Sequence, residues 1–204
     1  MKKIIAFLVL LFFIYSGFVL FCPAVTQWDI SIISAVQNVL TVFPVTIPLL
    51  VGSELYWGMI IINVIGWCIY FYRKYLLIDM LIIISAPVVA YYINSFVKIC
   101  LHRPRPPMEL QIAVYPHSFS YVSRHSFVTF VFFAIVIYYL NKYCTNKYLK
   151  FAGILISVLW ILFMGICRIW LGVHYPTDVI GGYLLAIIMS LVYIKLIKLI
   201  GGKC

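Results

Sequence analysis

The stretch Leu149-Lys150-Phe151-Ala152-Gly153-Ile154-Leu155-Ile156-Ser157-Val158-Leu159-Trp160-Ile161-Leu162-Phe163-Met164-Gly165-Ile166-Cys167 holds a single charged side chain. A helix of this length spans close to the ~30 Å of a bilayer's hydrocarbon core. Comparable apolar runs cover roughly 4 to 21, 54 to 72, 75 to 97, 126 to 141 and 179 to 197. The predicted fold class is therefore all-α: a polytopic membrane protein of six transmembrane helices, forming one domain over residues 1-204. Between the first two spans, residues 22 to 53 contain Trp28-Asp29-Ile30-Ser31-Ile32-Ile33-Ser34-Ala35-Val36-Gln37-Asn38-Val39-Leu40, apolar at helical spacing but too polar to cross. This predicts a helix lying flat at the membrane interface.

Composition points the same way. Of 204 residues, 66% are hydrophobic and 10% charged, a balance that a soluble domain of this size could not hide from water. The net charge of +10 does not indicate nucleic acid, because the basic residues lie between apolar spans and not along one polar face. Cys22, Cys68, Cys100, Cys144, Cys167 and Cys204 show no paired spacing, so neither a disulfide framework nor a zinc site is expected. Met1-Lys2-Lys3 followed by an apolar run to Phe21 resembles a signal peptide, but the run is long and no small-x-small cleavage site follows. It is expected to remain as the first helix. Bulky Phe21 before Cys22 argues against lipidation there.

Six crossings return the chain to its starting side, and basic residues near helix ends are retained in the cytoplasm. Lys2, Lys3, Arg73, Lys74, Lys142, Lys147, Lys150, Lys195, Lys198 and Lys203 fall on the side of the N-terminus, ten of the fifteen Lys and Arg. Both termini are thus expected in the cytoplasm. The other five, Lys98, Arg103, Arg105, Arg124 and Arg168, share the outer side with His102, His117, His125 and His174, all the histidines of the chain. Cations kept outside against the orientation rule suggest a function there.

They fall into three clusters. Lys98-Ile99-Cys100-Leu101-His102-Arg103-Pro104-Arg105-Pro106-Pro107 ends the third span in cations stiffened by prolines. Such fixed cations suit an anion, although a loop touching lipid headgroups explains them equally well. Ser123-Arg124-His125-Ser126 opens the fourth span, where unpartnered backbone N–H groups and the helix dipole favour an anion. An N-cap Ser123 and an interfacial histidine are the plainer account. Arg168-Ile169-Trp170-Leu171-Gly172-Val173-His174-Tyr175-Pro176-Thr177-Asp178 joins the last two spans. Asp178, four residues after His174, would accept its ring N–H and aim the other nitrogen at a substrate, or the two are a helix-capping pair.

The three clusters together resemble the type-2 phosphatidic acid phosphatase superfamily, whose pattern is K-x6-R-P, then P-S-G-H, then S-R-x5-H-x3-D. Lys98 and Arg105-Pro106 match the first motif, Ser123 and His125 two positions of the second, and Arg168, His174 and Asp178 the third. Val122 and Arg124 stand where the second motif has Pro and Gly, and Cys167 replaces the Ser of the third. The first change would crowd an amide meant for phosphate or add a cation for a second phosphate; Cys167 would weaken one hydrogen bond to phosphate.

The resemblance implies a metal-independent dephosphorylation of a membrane lipid phosphate or diphosphate. Catalytic His174, His125 and Asp178 would act as nucleophile, general acid-base and stabiliser of the imidazolium, through a phosphohistidine. Phosphate binding would fall to Lys98, Arg105, Ser123, Arg124 and Arg168, with no metal and no cofactor. The substrate would be a lipid of a bacterial inner membrane met at the outer face, with no obligate protein partner. Arg124 and the loop 98 to 125 favour a multiply charged headgroup, lipid A or undecaprenyl diphosphate, over phosphatidylglycerophosphate and phosphatidic acid. A lipid-to-lipid phosphotransferase would use the same site, and six helices with intramembrane charges also fit a lipid transporter. Elsewhere Glu54 is expected to cap its helix or pair with Arg103 or Arg105, and Asp79 to pair with Arg73 or Lys74. His102, Arg103, Glu109 and His117 would shape headgroup preference or be ordinary loop residues.

Overall fold

A computed structural model of the chain describes residues 2–51, 54–73, 76–113 and 118–201. The helices are α1 (Lys2–Phe21), α2 (Pro23–Leu40), α3 (Thr46–Val51), α4 (Glu54–Arg73), α5 (Leu77–Leu101), α6 (Arg124–Tyr143), α7 (Lys147–Trp170) and α8 (Pro176–Gly201), with one 3-10 turn at Met108–Leu110. Among the described residues there is no strand. Among the described residues five helices, α1, α5, α6, α7 and α8, are long and apolar enough to cross a membrane. The predicted span at 54 to 72 is a helix, α4, though not one of those five. The helix expected within 22 to 53 is α2.

Local chemistry sets the ends of these helices. Pro23 opens α2 at a position where its missing N–H costs nothing. Asn146 caps α7, its side-chain oxygen accepting from the N–H groups of Tyr148 at 3.0 Å and Leu149 at 3.1 Å. α5 stops at His102, which takes a left-handed conformation (φ 47°) and returns its N–H to the Lys98 carbonyl. Pro104, Pro106 and Pro107 then prevent any continuation.

Large apolar side chains face outward, among them Phe7, Phe13 and Phe18 of α1, Ile61 and Ile62 of α4, and Leu81, Tyr92 and Phe96 of α5. This surface requires lipid as its solvent, and the chain is a multi-pass membrane protein. In lipid the hydrophobic effect does not drive helices together, so close packing must. The most buried span is α6, which packs against α5, α7 and α8. Its Phe127, Val131, Phe132, Ile135 and Tyr139 meet Ile83 and Ala90 of α5, Met164 of α7, and Tyr56 and Phe71 of α4 in one core.

α2 buries Val25, Asp29 and Ile33, residues four apart on one face, and docks on α7 and α8. Gln37, one step further along that face, donates to the carbonyls of Leu110 at 2.8 Å and Trp170 at 3.0 Å. At the end of α5 away from His102, Asp79 pairs with Lys142 at 3.6 Å and accepts from the Tyr143 hydroxyl at 2.6 Å. These α6 partners stand where Arg73 was one expected partner, because α5 packs along α6 there; the other, Lys74, lies outside the described residues.

Candidate active site

The turn between α7 and α8 carries His174. It begins at Gly172, whose φ of +66° favours a residue without a Cβ. A Cβ there would also lie 1.9 Å from the Leu110 carbonyl oxygen. The turn can therefore lie against the loop after α5, which Ile112 N–H fastens to the Leu171 carbonyl at 3.0 Å. Pro176 starts α8 immediately afterwards and brings Asp178 into its first turn.

Asp178 is fully buried and lies one helical turn beyond His174. Its Oδ2 is 3.5 Å from His174 Nδ1 and accepts the Tyr175 N–H at 3.0 Å. The same oxygen accepts from the Ser120 hydroxyl, which also sits 3.4 Å from His174 Nδ1. With Nδ1 turned to this carboxylate, Nε2 is the nitrogen left for other chemistry. Burial, and then the neighbouring cations Lys98, Arg105 and Arg168, push the His174 pKa well below the usual imidazole value. The ring is neutral at neutral pH, the form that has a lone pair to give.

The other motif residues converge on this turn. Lys98 reaches over from α5 and donates to the Phe119 carbonyl at 2.5 Å. Arg105 is pinned by the Ser118 carbonyl at 2.8 Å, the Ser118 hydroxyl at 2.9 Å and the Val173 carbonyl at 2.6 Å, next to His174 in sequence. Arg168, in the last turn of α7, is fully buried. Ser123 is the N-cap of α6, its hydroxyl 3.0 Å from that of Ser126 and its N–H donated to the Asp178 carbonyl at 3.1 Å. Gly182 allows this approach, since a Cβ there would come 3.2 Å from the Ser123 carbonyl oxygen. His125 packs at a tilt against Tyr56 of α4 with ring centroids 4.5 Å apart, within electrostatic reach of His174, Arg168 and Lys98.

Arg124 is placed differently from its neighbours. Its guanidinium lies over the Tyr91 ring at 4.3 Å and donates to Asn94 Oδ1 at 3.3 Å and Ser95 Oγ at 3.2 Å, all on α5. Reading a second phosphate would require it to leave these partners. Cys167, beside Arg168, is buried.

Four contributors, Ser120, Tyr56, Arg103 and Asp29, escape the motifs. Ser120 and Tyr56 touch His174 and His125 as described. Arg103, expected to shape headgroup preference or to be an ordinary loop residue, is buried and donates to Asp178 Oδ1 at 2.5 Å and to Asp29 Oδ2 at 2.8 Å. The Glu54 side chain and His117 lie outside the described residues. The one signal for Asp29 is a lone carboxylate on an otherwise apolar helix face, which is costly unless paired. Among the described residues no cluster of His, Cys, Asp and Glu could hold a metal ion.

The chain matches the PAP2 superfamily over residues 79–200. It is 32% identical over 131 residues to the phosphatidylglycerophosphatase B of Bacillus subtilis (strain 168), a match covering 63% of this chain and 62% of that protein, less than two thirds of its length. The crystal structure of a transmembrane PAP2 type phosphatidylglycerolphosphate phosphatase from Bacillus subtilis superposes with a TM-score of 0.76 at 26% identity, over 95% of this chain and 96% of that one. With a family match that takes in all three histidine and arginine clusters, the chain belongs to the PAP2 superfamily.

Proposed function

We propose that the protein hydrolyses the phosphate monoester of a membrane lipid through a phosphohistidine on His174. The observation that carries this is the pairing of a neutral, buried His174 with Asp178 on one ring nitrogen while Lys98, Arg105 and Arg168 gather around it. The cations and the first N–H groups of α6 would neutralise the nonbridging phosphate oxygens. His174 Nε2 attacks phosphorus, forming the N–P bond as the bond to the lipid oxygen breaks. Asp178 stabilises the positive charge that develops on the ring. His125 gives its proton to the departing oxygen, then takes one from the water that frees phosphate.

A multiply charged headgroup is expected from Arg124 and the loop 98 to 125, and the Arg124 guanidinium is engaged with Tyr91, Asn94 and Ser95. Both relatives above are named for phosphatidylglycerophosphate, and we take that lipid as the leading substrate. Arginine and lysine supply the charge that a metal would supply in other phosphoryl transfers, so turnover should continue in excess chelator. Six crossings with the histidines on the outer face complete the proposal, supported by the basic residues retained on the opposite side.

The test is phosphate release from detergent-solubilised protein, with phosphatidylglycerophosphate, phosphatidic acid, undecaprenyl diphosphate and lipid A as separate substrates and EDTA throughout. Fastest turnover of the first, with His174→Ala slower by at least about a thousandfold, is the expected result. Near-normal activity of His174→Ala would sink the nucleophile assignment.

A further inference from the structure

Of the chain's five acidic residues, two meet beneath His174, and only one of them belongs to a motif. Asp29 reaches in from α2 and is fully buried. Its Oδ1 accepts the Thr177 N–H at 3.0 Å. Its Oδ2 accepts the Thr177 hydroxyl at 2.5 Å and Arg103 Nη2 at 2.8 Å. The other terminal nitrogen of Arg103 donates to the Thr177 hydroxyl at 2.8 Å and to Asp178 Oδ1 at 2.5 Å. Tyr175 covers the guanidinium, 4.2 Å from its ring centroid. A continuous chain of charge-assisted contacts thus runs from Asp29 through Arg103 to one oxygen of Asp178, whose other oxygen faces His174.

We infer that Asp29 is a positioning residue for the reaction, acting on His174 through Arg103 and Asp178. This rests on the reading of His174 as the nucleophile. Two effects support it. The first is geometric: the guanidinium fork is rigid, so fixing one nitrogen on Asp29 fixes where the other meets Asp178. Asp29 also holds both the N–H and the hydroxyl of Thr177, the residue before Asp178.

The second effect is electrostatic. Arg103 with Asp178 alone would form a neutral pair, and the carboxylate would have little charge left for a cationic ring. With Asp29 the three groups carry one net negative charge, matching the positive charge that His174 acquires as it attacks. A buried ion pair is weak evidence for stability, since replacing it with apolar residues often costs nothing. Two carboxylates on one guanidinium, next to a histidine, are better explained by an acceptor kept negative for the ring. In this account α2 is the back wall of the active site, and its buried face is what holds Asp29 there.

The experiment measures kcat and KM for phosphate release from phosphatidylglycerophosphate micelles with wild type, Asp29→Asn, Asp178→Asn, the double variant and His174→Ala. Asp29→Asn keeps the shape and removes the charge. It should lower kcat by about 10- to 100-fold with KM within about twofold, because the loss falls on the transition state and not on the lipid's binding. In the Asp178→Asn background Asp29→Asn should add little further loss, since its route to His174 is already cut. If Asp29→Asn keeps wild-type kcat, or costs the same factor in both backgrounds, the assignment is wrong while an inactive His174→Ala leaves the phosphatase reading intact. An active His174→Ala overturns both. Should Asp29→Asn fail to give monodisperse protein, Thr177→Val decides: it removes only the bridging hydroxyl, and must show the same kcat loss and the same non-additivity with Asp178→Asn.

Discussion

Replacing Gly172 by alanine tests whether the turn before His174 is built as described. An L-residue at φ +66° costs about 1–2 kcal/mol of backbone strain. The added Cβ would stand 1.9 Å from the Leu110 oxygen, where real contacts do not fall under 3.0 Å, so the two strands of chain must part by about 1.1 Å. They have little freedom to part. The Leu110 carbonyl is held by Gln37 at 2.8 Å, and the Ile112 N–H is bonded to the Leu171 carbonyl at 3.0 Å. Overpacking of this kind adds about 1–3 kcal/mol, giving a total loss of roughly 2–5 kcal/mol. His174 lies two residues on, and a displacement near 1 Å at the reacting group costs about a hundredfold in rate. The assays are thermal unfolding in detergent and phosphate release at saturating lipid. Gly17→Ala is the control, since nothing lies within 4 Å of its Cβ position. The expected result is a melting temperature lowered by several degrees and kcat lowered about a hundredfold for Gly172→Ala, with neither change for Gly17→Ala. Wild-type melting and turnover in Gly172→Ala would refute the packing of this turn on Leu110.

Two further perturbations separate the site from its scaffold. His174 has its folded pKa pushed below the ordinary 6.5, so the unfolded chain takes up the proton first as pH falls. Its stabilising contribution is complete above about pH 6.5 and is lost progressively below it, and wild type should lose more stability than His174→Gln between pH 6.5 and 5, as read by thermal unfolding; parallel curves would contradict the neutral buried ring. Tyr143→Phe removes the 2.6 Å hydrogen bond to Asp79 at the far end of the bundle and should cost about 1 kcal/mol of stability with unchanged phosphate release, so a fall in kcat would mean that this cluster is coupled to the site.

The amino-acid sequence alone determined what depends on neighbours in the chain. Long apolar runs become helices where lipid is the solvent, since a helix satisfies its backbone within the one segment, and the predicted ends fall within a few residues of those observed. Asp178 four residues after His174 is a local spacing, and so are Lys98 and Arg105 at the end of one helix, followed by prolines that stop it. Such features can be read because a helix turns fixed intervals into fixed faces. Tertiary structure decided the rest. Arg103 meets Asp29 across 74 residues, and Asp29 meets Thr177 across 148. Ser120 reaches Asp178 only because the segment that leads into α6 is packed on the start of α8, and Arg124 turns to Tyr91 only because α5 presents that ring. No periodicity encodes these contacts. They follow from which helix faces pack together, and a buried carboxylate in α2 is intelligible only once its guanidinium partner has been brought to it.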